Sequence, residues 1–308
     1  MTENKIKLAA IVGPTAGGKS ALALEIAGRL PVEIICMDSM QVYRHMDIGT
    51  AKPTPQEQKL CPHHMLDVVE PSENYSVAAW KEAAEAKVSE VRMRGRIPLL
   101  VGGTGLYLSA LTLPMTLGET SHDEKLREAL LAEASTEAGR LSLHKRLAEI
   151  DSISAAKFHP NDFRRVIRAL EVYIVTGKPV SAQAALPENS KYDALILGVS
   201  RKREKLYERI NQRVDGMMKD GLLGEVEGLV RRGISPECTS MQGLGYKELY
   251  PVVTKGLPLA DAVYSVKLGT RRYAKRQMTW FRRDGRVSWL DEKDGFSCED
   301  KLRHFFGL

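Results

Sequence analysis

Gly13-Pro14-Thr15-Ala16-Gly17-Gly18-Lys19-Ser20 reads G-x-x-x-x-G-K-S and follows the apolar run Leu8-Ala9-Ala10-Ile11-Val12. Strand, glycine-rich turn and then a helix starting near Ser20 is the setting of a phosphate-binding loop. Glycines let consecutive backbone N–H groups turn inward into an anion-binding nest. The helix that follows offers its positive N-terminus to the same anion. Lys19 adds a point charge, and the Ser20 hydroxyl can hold Mg²⁺. The loop alone does not say which phosphate it holds, or whether that phosphate is transferred, cleaved or expelled.

Working outward, strand and helix signals alternate. Val32–Met37 reads as a second buried strand ending at Asp38, and Ile97–Val101 as a third, ending in Gly102-Gly103-Thr104-Gly105-Leu106-Tyr107. Helices are expected over Ser20–Leu30 and Ser76–Arg94 from apolar residues at helical spacing. This alternation implies an α/β fold, a P-loop NTPase-like parallel sheet flanked by helices. Ligands in such sheets sit at the carboxyl ends of the strands. Three polar signals stand at three strand ends: the loop, Asp38-Ser39-Met40-Gln41, and Gly102–Tyr107. They are expected to converge.

From about Leu117 to Pro187 helical periodicity dominates, over Asp123–Ala134, Arg140–Ile150 and Asp162–Thr176, the last stopped by Gly177 and Pro179. This reads as an all-helical insertion domain, 118–187, within a catalytic core of 1–117 and 188–308. A strand over Asp193–Val199, helices over Arg203–Lys219, Leu223–Arg232 and Leu259–Arg283, a short strand at Val287–Leu290 and a helix at Glu299–Phe306 complete the core.

The chain has 308 residues, 43% of them hydrophobic, enough for one large domain or two modest ones. The start, Met1-Thr2-Glu3-Asn4-Lys5, has no signal-peptide apolar stretch, and no run approaches the ~18 residues of a membrane span. A soluble, cytoplasmic protein with no membrane partner is expected. Cys36, Cys61, Cys238 and Cys298 are far apart and form no C-x-x-C pair, which argues against a disulfide framework or zinc site. His63-His64, next to Cys61, reads as a loop rather than a metal site. Net charge is +6. Basic residues cluster at Lys267–Arg286, at Arg201–Arg213, and at Arg164, Arg165 and Arg168. Three clusters in a chain with a phosphate loop favour a polyanionic partner over three solvated helix faces.

Asp38 ends an apolar strand, and two functional readings stand beside a plain turn aspartate. It can hold Mg²⁺ through water, as in many phosphate-loop hydrolases, or act as a general base. Gln41 brings an amide able to pair with a base edge. The strand ending Leu99-Leu100-Val101-Gly102-Gly103 carries no acid, so simple nucleotide hydrolysis would lack a second metal anchor. Arg209 and Arg213, four apart, share one helix face and can reach one diphosphate.

Together these segments resemble the tRNA dimethylallyltransferase (tRNA isopentenyltransferase) family. The strings that carry the resemblance are 13–20, Asp38-Ser39-Met40-Gln41-Val42-Tyr43, Met46-Asp47-Ile48-Gly49-Thr50-Ala51-Lys52-Pro53, and 102–107. His159-Pro160-Asn161-Asp162 with Arg164-Arg165, Arg209 to Arg213, Gly243-Leu244-Gly245-Tyr246-Lys247-Glu248, and the stretch from Arg271 to Trp280 complete them. The resemblance runs from about residue 6 to about residue 291. Gly17 stands where Ser is common in that family and Ser20 where Thr is common; both keep the nest and the hydroxyl. Eukaryotic members often add a C-terminal zinc finger, and none follows before Leu308, so the likeness is to the bacterial type.

The resemblance implies transfer of a dimethylallyl group from dimethylallyl diphosphate to N6 of the adenosine 3′ of the anticodon, position 37 of tRNA. The loop, Gly13 to Ser20, would then grip the diphosphate leaving group with Mg²⁺ at Ser20. Asp38, Thr104, Arg209 and Arg213 would be catalytic, with Asp38 as proton acceptor and Thr104 orienting the amine or the diphosphate. The tRNA contacts, on the anticodon stem-loop, would fall on Asp38, Ser39, Met40 and Gln41, on Arg164, Arg165, Val166, Ile167 and Arg168, and on Gln242, Gly243, Leu244, Gly245, Tyr246 and Lys247. A monomer is expected. The rival readings are an isopentenyltransferase acting on adenylate and a small-molecule P-loop kinase, for which the loop's motif would bind ATP.

Overall fold

The structure, a computed structural model, describes residues 5–114, 124–183, 190–290 and 295–308. The polar start at 1–4, Asp123 and the expected domain limits at 117–118 and 187–188 lie outside the described residues. Two compact units divide the chain, Met1–Thr112 with Lys191–Leu308, and Leu113–Ser190.

The first unit opens with β1 (Ile6–Val12), α1 (Lys19–Ala27), β2 (Val32–Met37), α2 (Pro55–Leu60), β3 (His63–His64), α3 (Val77–Met93), β4 (Ile97–Gly102) and α4 (Gly105–Thr112). In the second unit lie α5 (Glu124–Glu133), α6 (Glu137–Ile150), α7 (Ser152–Lys157) and α8 (Phe163–Thr176). The first unit resumes with β5 (Tyr192–Val199), α9 (Arg203–Lys219), α10 (Leu222–Arg231), α11 (Tyr246–Lys255), α12 (Leu259–Arg283), β6 (Val287–Leu290) and α13 (Gly295–Phe306).

The six strands found among the described residues form one parallel sheet in the order β3-β2-β4-β1-β5-β6. Every residue of β2 and β4 is buried, as expected of strands covered by helices on both faces. Register decides where the chemistry goes. Met37 pairs with Gly102, Gly102 with Val12, and Val12 with Gly198. Those four form one row at the carboxyl edge of the sheet. The next residues along three of these strands are Asp38, Gly103 and Gly13, so three loops leave the sheet side by side.

The main core encloses the sheet. Trp80 of α3 stacks on Tyr107 of α4 with ring centroids 4.2 Å apart. The second unit has its own core, built from Leu130, Leu143, Leu147, Val166, Ile167 and Leu170. Asp151 caps α7, accepting from Ser154 N at 2.9 Å and Ser154 Oγ at 2.7 Å. No helix among the described residues is long and apolar enough to cross a membrane.

Where sequence and structure differ, the causes are local. His63-His64 is an edge strand, not a loop, and pairs with Ile34 and Ile35. No group of three or more His, Cys, Asp or Glu residues able to hold a metal occurs among the described residues. α4 begins inside the glycine run, α2 and α7 are one and a half turns each, and α11 contains Pro251. α1 ends at Ala27, three residues short of the expected limit, where Gly28 follows.

Gly102 makes the row possible. A Cβ there would lie 1.9 Å from the Met37 carbonyl oxygen of the neighbouring strand. Gly102→Ala is therefore expected to destabilise the fold by roughly 1–3 kcal/mol, read as a lower urea midpoint at unchanged slope. An unchanged midpoint would contradict this packing.

Candidate active site

The phosphate loop leaves β1 at Gly13, whose φ is +146°, and enters α1 at Gly18, whose φ is +105°. A Cβ on Gly13 would meet the Val199 carbonyl oxygen at 2.4 Å, so both conformation and space demand glycine there. Gly17 N donates to Pro14 O at 3.1 Å and closes the turn.

Side chains from distant parts of the chain hold the loop. Arg201 Nε donates to Gly17 O at 2.8 Å, and Arg209 Nε to Ala16 O at 3.0 Å. Arg213 Nη1 lies 3.5 Å from Thr15 Oγ1. Gln277 of α12 is buried and bridges two strand ends. Its Oε1 accepts from Thr15 N at 2.8 Å, and its Nε2 donates to Gly103 O at 3.0 Å. Two of the loop's carbonyls are thus satisfied by arginine side chains.

Lys19 Nζ donates to Pro14 O at 2.8 Å. Burial pulls its pKa down to about 8, opposed by the Asp38 charge and assisted by Arg213. Asp38 responds in the opposite direction. Burial raises its pKa, while the Met40 amide, Lys19 and the Gln41 amide lower it. Asp38 Oδ1 accepts from Met40 N at 2.8 Å, so one oxygen makes the local turn contact. Burial, and then the Asp38 charge, keep the Tyr273 hydroxyl protonated. Thr104 Oγ1 accepts from Ser39 N at 3.1 Å, and Thr104 N donates to Met37 O at 3.2 Å, tying the second and third strand ends together. The expected convergence of three strand ends is thus met by named contacts.

Two cavities meet at this point. One, of about 250 Å³, is polar and lined by the loop residues 15–20, Arg209, Arg213 and Gln277. The other, of about 280 Å³, is lined by Gln242, Gly243, Leu244, Gly245, Tyr246 and Lys247 with apolar Val214, Met217, Leu222 and Val266. Thr15, Asp38, Thr50, Ala51, Arg213 and Tyr273 line both. Thr50 and Ala51 form a wall fixed by Gln41, whose Nε2 donates to both carbonyls at 3.1 Å. Gln41 thus spends its amide donors on the protein.

Some of the expected site residues belong to the second unit. Arg164, Arg165 and Arg168 are exposed on α8 of the second unit. Arg165 pairs with Asp162 at 3.1 Å and Arg168 with Glu171 at 3.6 Å. Val166 and Ile167, between them, are buried in that unit's core, so their side chains serve packing there. Tyr246 is also buried, whereas Gln242 and Lys247 are exposed. Tyr273 and Gln277 were not picked out from sequence. Their signal was the four-residue spacing on a helix that otherwise reads as basic, one turn apart on one face.

A magnesium ion fits this donor set in one way. No carboxylate cluster occurs among the described residues; the protein could supply the hydroxyl of Ser20, a residue that lines the phosphate cavity, with phosphate oxygens and water completing the shell. Mg²⁺ accepts such a sparse protein shell because it keeps its waters and binds substrate phosphates.

The model of the family described as IPP transferase matches residues 41–284. The tRNA dimethylallyltransferase of Pelotomaculum thermopropionicum is 47% identical over 300 residues, covering 97% of this chain and 95% of that protein. The crystal structure of the full-length tRNA isopentenylpyrophosphate transferase of Bacillus halodurans superimposes with a TM-score of 0.74 at 42% identity, covering 98% and 97% of the two chains. A eukaryotic dimethylallyltransferase acting on tRNA gives a TM-score of 0.79 at 32% identity, with 97% of this chain and 77% of that one covered.

Lys19 is expected to make anion binding pH-dependent. Its folded pKa of about 8 lies below the ordinary 10.5, so the free protein loses the charge as pH rises through about 8. A bound anion favours the charged form. Binding of methyl diphosphate is therefore expected to weaken above about pH 8 and to take up protons there, with little uptake near pH 6.5. Calorimetry in buffers of different ionisation enthalpy reads both. Constant affinity to about pH 9.5 with no uptake would contradict the Lys19 assignment.

Proposed function

The chain belongs to the IPP transferase family, and from that premise we propose that it transfers a dimethylallyl group from dimethylallyl diphosphate to tRNA, at N6 of the adenosine 3′ of the anticodon. The meeting of a phosphate cavity and a second, less polar cavity at Asp38 is the observation that carries this reading. A donor must present its diphosphate to one side and its first carbon to the other. An acceptor base must enter from the second side.

The chemistry follows from charge. The bond from N6 to the first carbon of the donor forms, and the bond from that carbon to the diphosphate oxygen breaks. The electron pair leaves with the diphosphate, and one N6 proton goes to Asp38. Lys19, the loop amides, Arg209 and Arg213 surround the place where that charge grows, so they stabilise the transition state more than the ground state. Ser20, which lines the phosphate cavity, would hold a Mg²⁺ ion, and that ion would supply further positive charge to the leaving group. An exocyclic adenine amine is a weak nucleophile, and a carboxylate beside it gains proton affinity from its own desolvation. Thr104, whose hydroxyl accepts from Ser39 N, would orient the amine or the diphosphate.

The base cannot react while stacked, so it must be turned out of the anticodon loop into the second cavity. The exposed arginines at 164, 165 and 168, with Lys247 and the basic residues of α12, supply phosphate contacts that fix the register of the RNA.

The direct test combines the protein, dimethylallyl diphosphate, Mg²⁺ and unmodified tRNA, followed by mass analysis of the nucleosides. One five-carbon addition on one adenosine is expected. Product with AMP but not tRNA, or turnover of ATP alone, would replace this reading with one of its rivals. Asp38→Ala is expected to keep tRNA affinity and to lower the single-turnover rate by about 10²–10⁴-fold. A near-normal rate would remove Asp38 as the proton acceptor. Affinity for tRNA should fall steeply between about 50 and 200 mM salt, and a flat response would remove the basic surface from recognition.

A further inference from the structure

Glu225 sits on α10, outside every string that the phosphate loop or the RNA contacts account for. Its carboxylate is the meeting point of four hydrogen bonds. Oε2 accepts from Asp47 N and Ile48 N, both at 2.8 Å. Oε1 accepts from Gly49 N at 3.0 Å and from the Tyr246 hydroxyl at 2.6 Å. Three consecutive amides converging on one anion form a nest, and here the anion belongs to the protein itself.

What the carboxylate gathers is functional wall. Residues 46–53 belong to no helix or strand, yet Gly49, Thr50 and Ala51 line the second cavity, and Thr50 and Ala51 line the phosphate cavity too. Tyr246 follows the Gly243–Gly245 turn and lines the same cavity. Its ring packs so closely on Gly49 that a Cβ there would lie 2.6 Å from the ring. Lys52, with its buried ammonium on Asp47 and Asp67 at 2.6 Å each, anchors the far end of the same segment. Without Glu225, the near end keeps three amides with no acceptor, and Tyr246 keeps a buried hydroxyl with none.

We propose that Glu225 is a positioning residue for prenyl transfer, holding the 47–49 segment and Tyr246 together so that the second cavity presents the acceptor amine to Asp38. It touches neither substrate. The inference rests on the tRNA-prenylation reading above. Donor grip comes from the loop, Arg209 and Arg213, none of which Glu225 contacts, whereas a small displacement of the acceptor base costs rate steeply.

Glu225→Gln keeps size and one acceptor oxygen but sets an NH₂ group against amide donors. The single-turnover rate constant on tRNA is expected to fall roughly tenfold to a hundredfold. Methyl diphosphate affinity and tRNA affinity should stay within about threefold of the wild type, with one donor site per chain. A single-turnover rate constant does not depend on the folded fraction, so loss of stability alone does not mimic this result. Tyr246→Phe removes one of the four bonds and is expected to cost about threefold to tenfold. In the Glu225→Gln background it should cost almost nothing further, because its acceptor has already been altered. If Glu225→Gln does not fold, Tyr246→Phe carries the test alone, judged by a lower rate at saturating tRNA with methyl diphosphate affinity unchanged. Unchanged rates, or donor affinity falling in step with the rate, would overturn the proposal. Failure of the wild-type protein to prenylate tRNA would instead overturn the reading it rests on.

Discussion

The site depends on one row of backbone pairing. Met37, Gly102, Val12 and Gly198 lie side by side across four parallel strands. Because side chains alternate faces along a strand, a slip of one residue would reverse every one of them. Register is therefore locked by the buried faces on both sides of the sheet. Once locked, it delivers Asp38, Gly103 and Gly13 to neighbouring positions without any further instruction. Gly102 admits the close approach of β2 to β4, and Thr104 then bonds back to Met37 O and Ser39 N across that seam.

On that base the protein builds a rigid anion cradle. Loops of this kind hold phosphate with amides, so their carbonyls must be satisfied elsewhere. Arg201 and Arg209 take Gly17 O and Ala16 O, and Gln277 takes Thr15 N together with Gly103 O. The same arginines that shape the loop add positive charge near it. Preorganisation of this sort removes reorganisation cost when the leaving group gains charge. Lys19 and Asp38 share one desolvated space, and each moderates the effect of burial on the other.

The α/β class, five of the six strands and the meeting of three strand ends were legible in the sequence because long apolar runs and a strand–loop–helix motif carry strong local signals. α9 and α12 were read at their observed limits for the same reason: periodicity over 17 and 25 residues leaves little room for a competing register. Elements whose signal is short or contradicted were not legible. β3 is two histidines, α4 starts in glycines, and α11 contains a proline. α2 did carry its mark, the Thr54–Glu57 capping box, in a helix of six residues. At the site, motif residues were legible and their supports were not. Gln277 lies 262 residues from Thr15, and Glu225 lies 176 from Gly49. No local pattern predicts a contact at that distance. Val166 and Ile167 show the converse, since a basic string read as a unit contains two residues that its helix turns into the core.

A phosphate loop ordinarily moves or cleaves a phosphoryl group, and in the proposed function the phosphates are held so that they can leave. The claim concerns which bond breaks, and an isotope placed in that bond decides it. Dimethylallyl diphosphate labelled with ¹⁸O at the bridge between carbon and phosphorus is turned over with tRNA, and the released diphosphate is weighed. Cleavage between carbon and oxygen predicts that all the label leaves in the diphosphate. Label retained on a five-carbon alcohol would mean that the bond between oxygen and phosphorus breaks and that phosphorus, not carbon, is transferred, and would contradict the account.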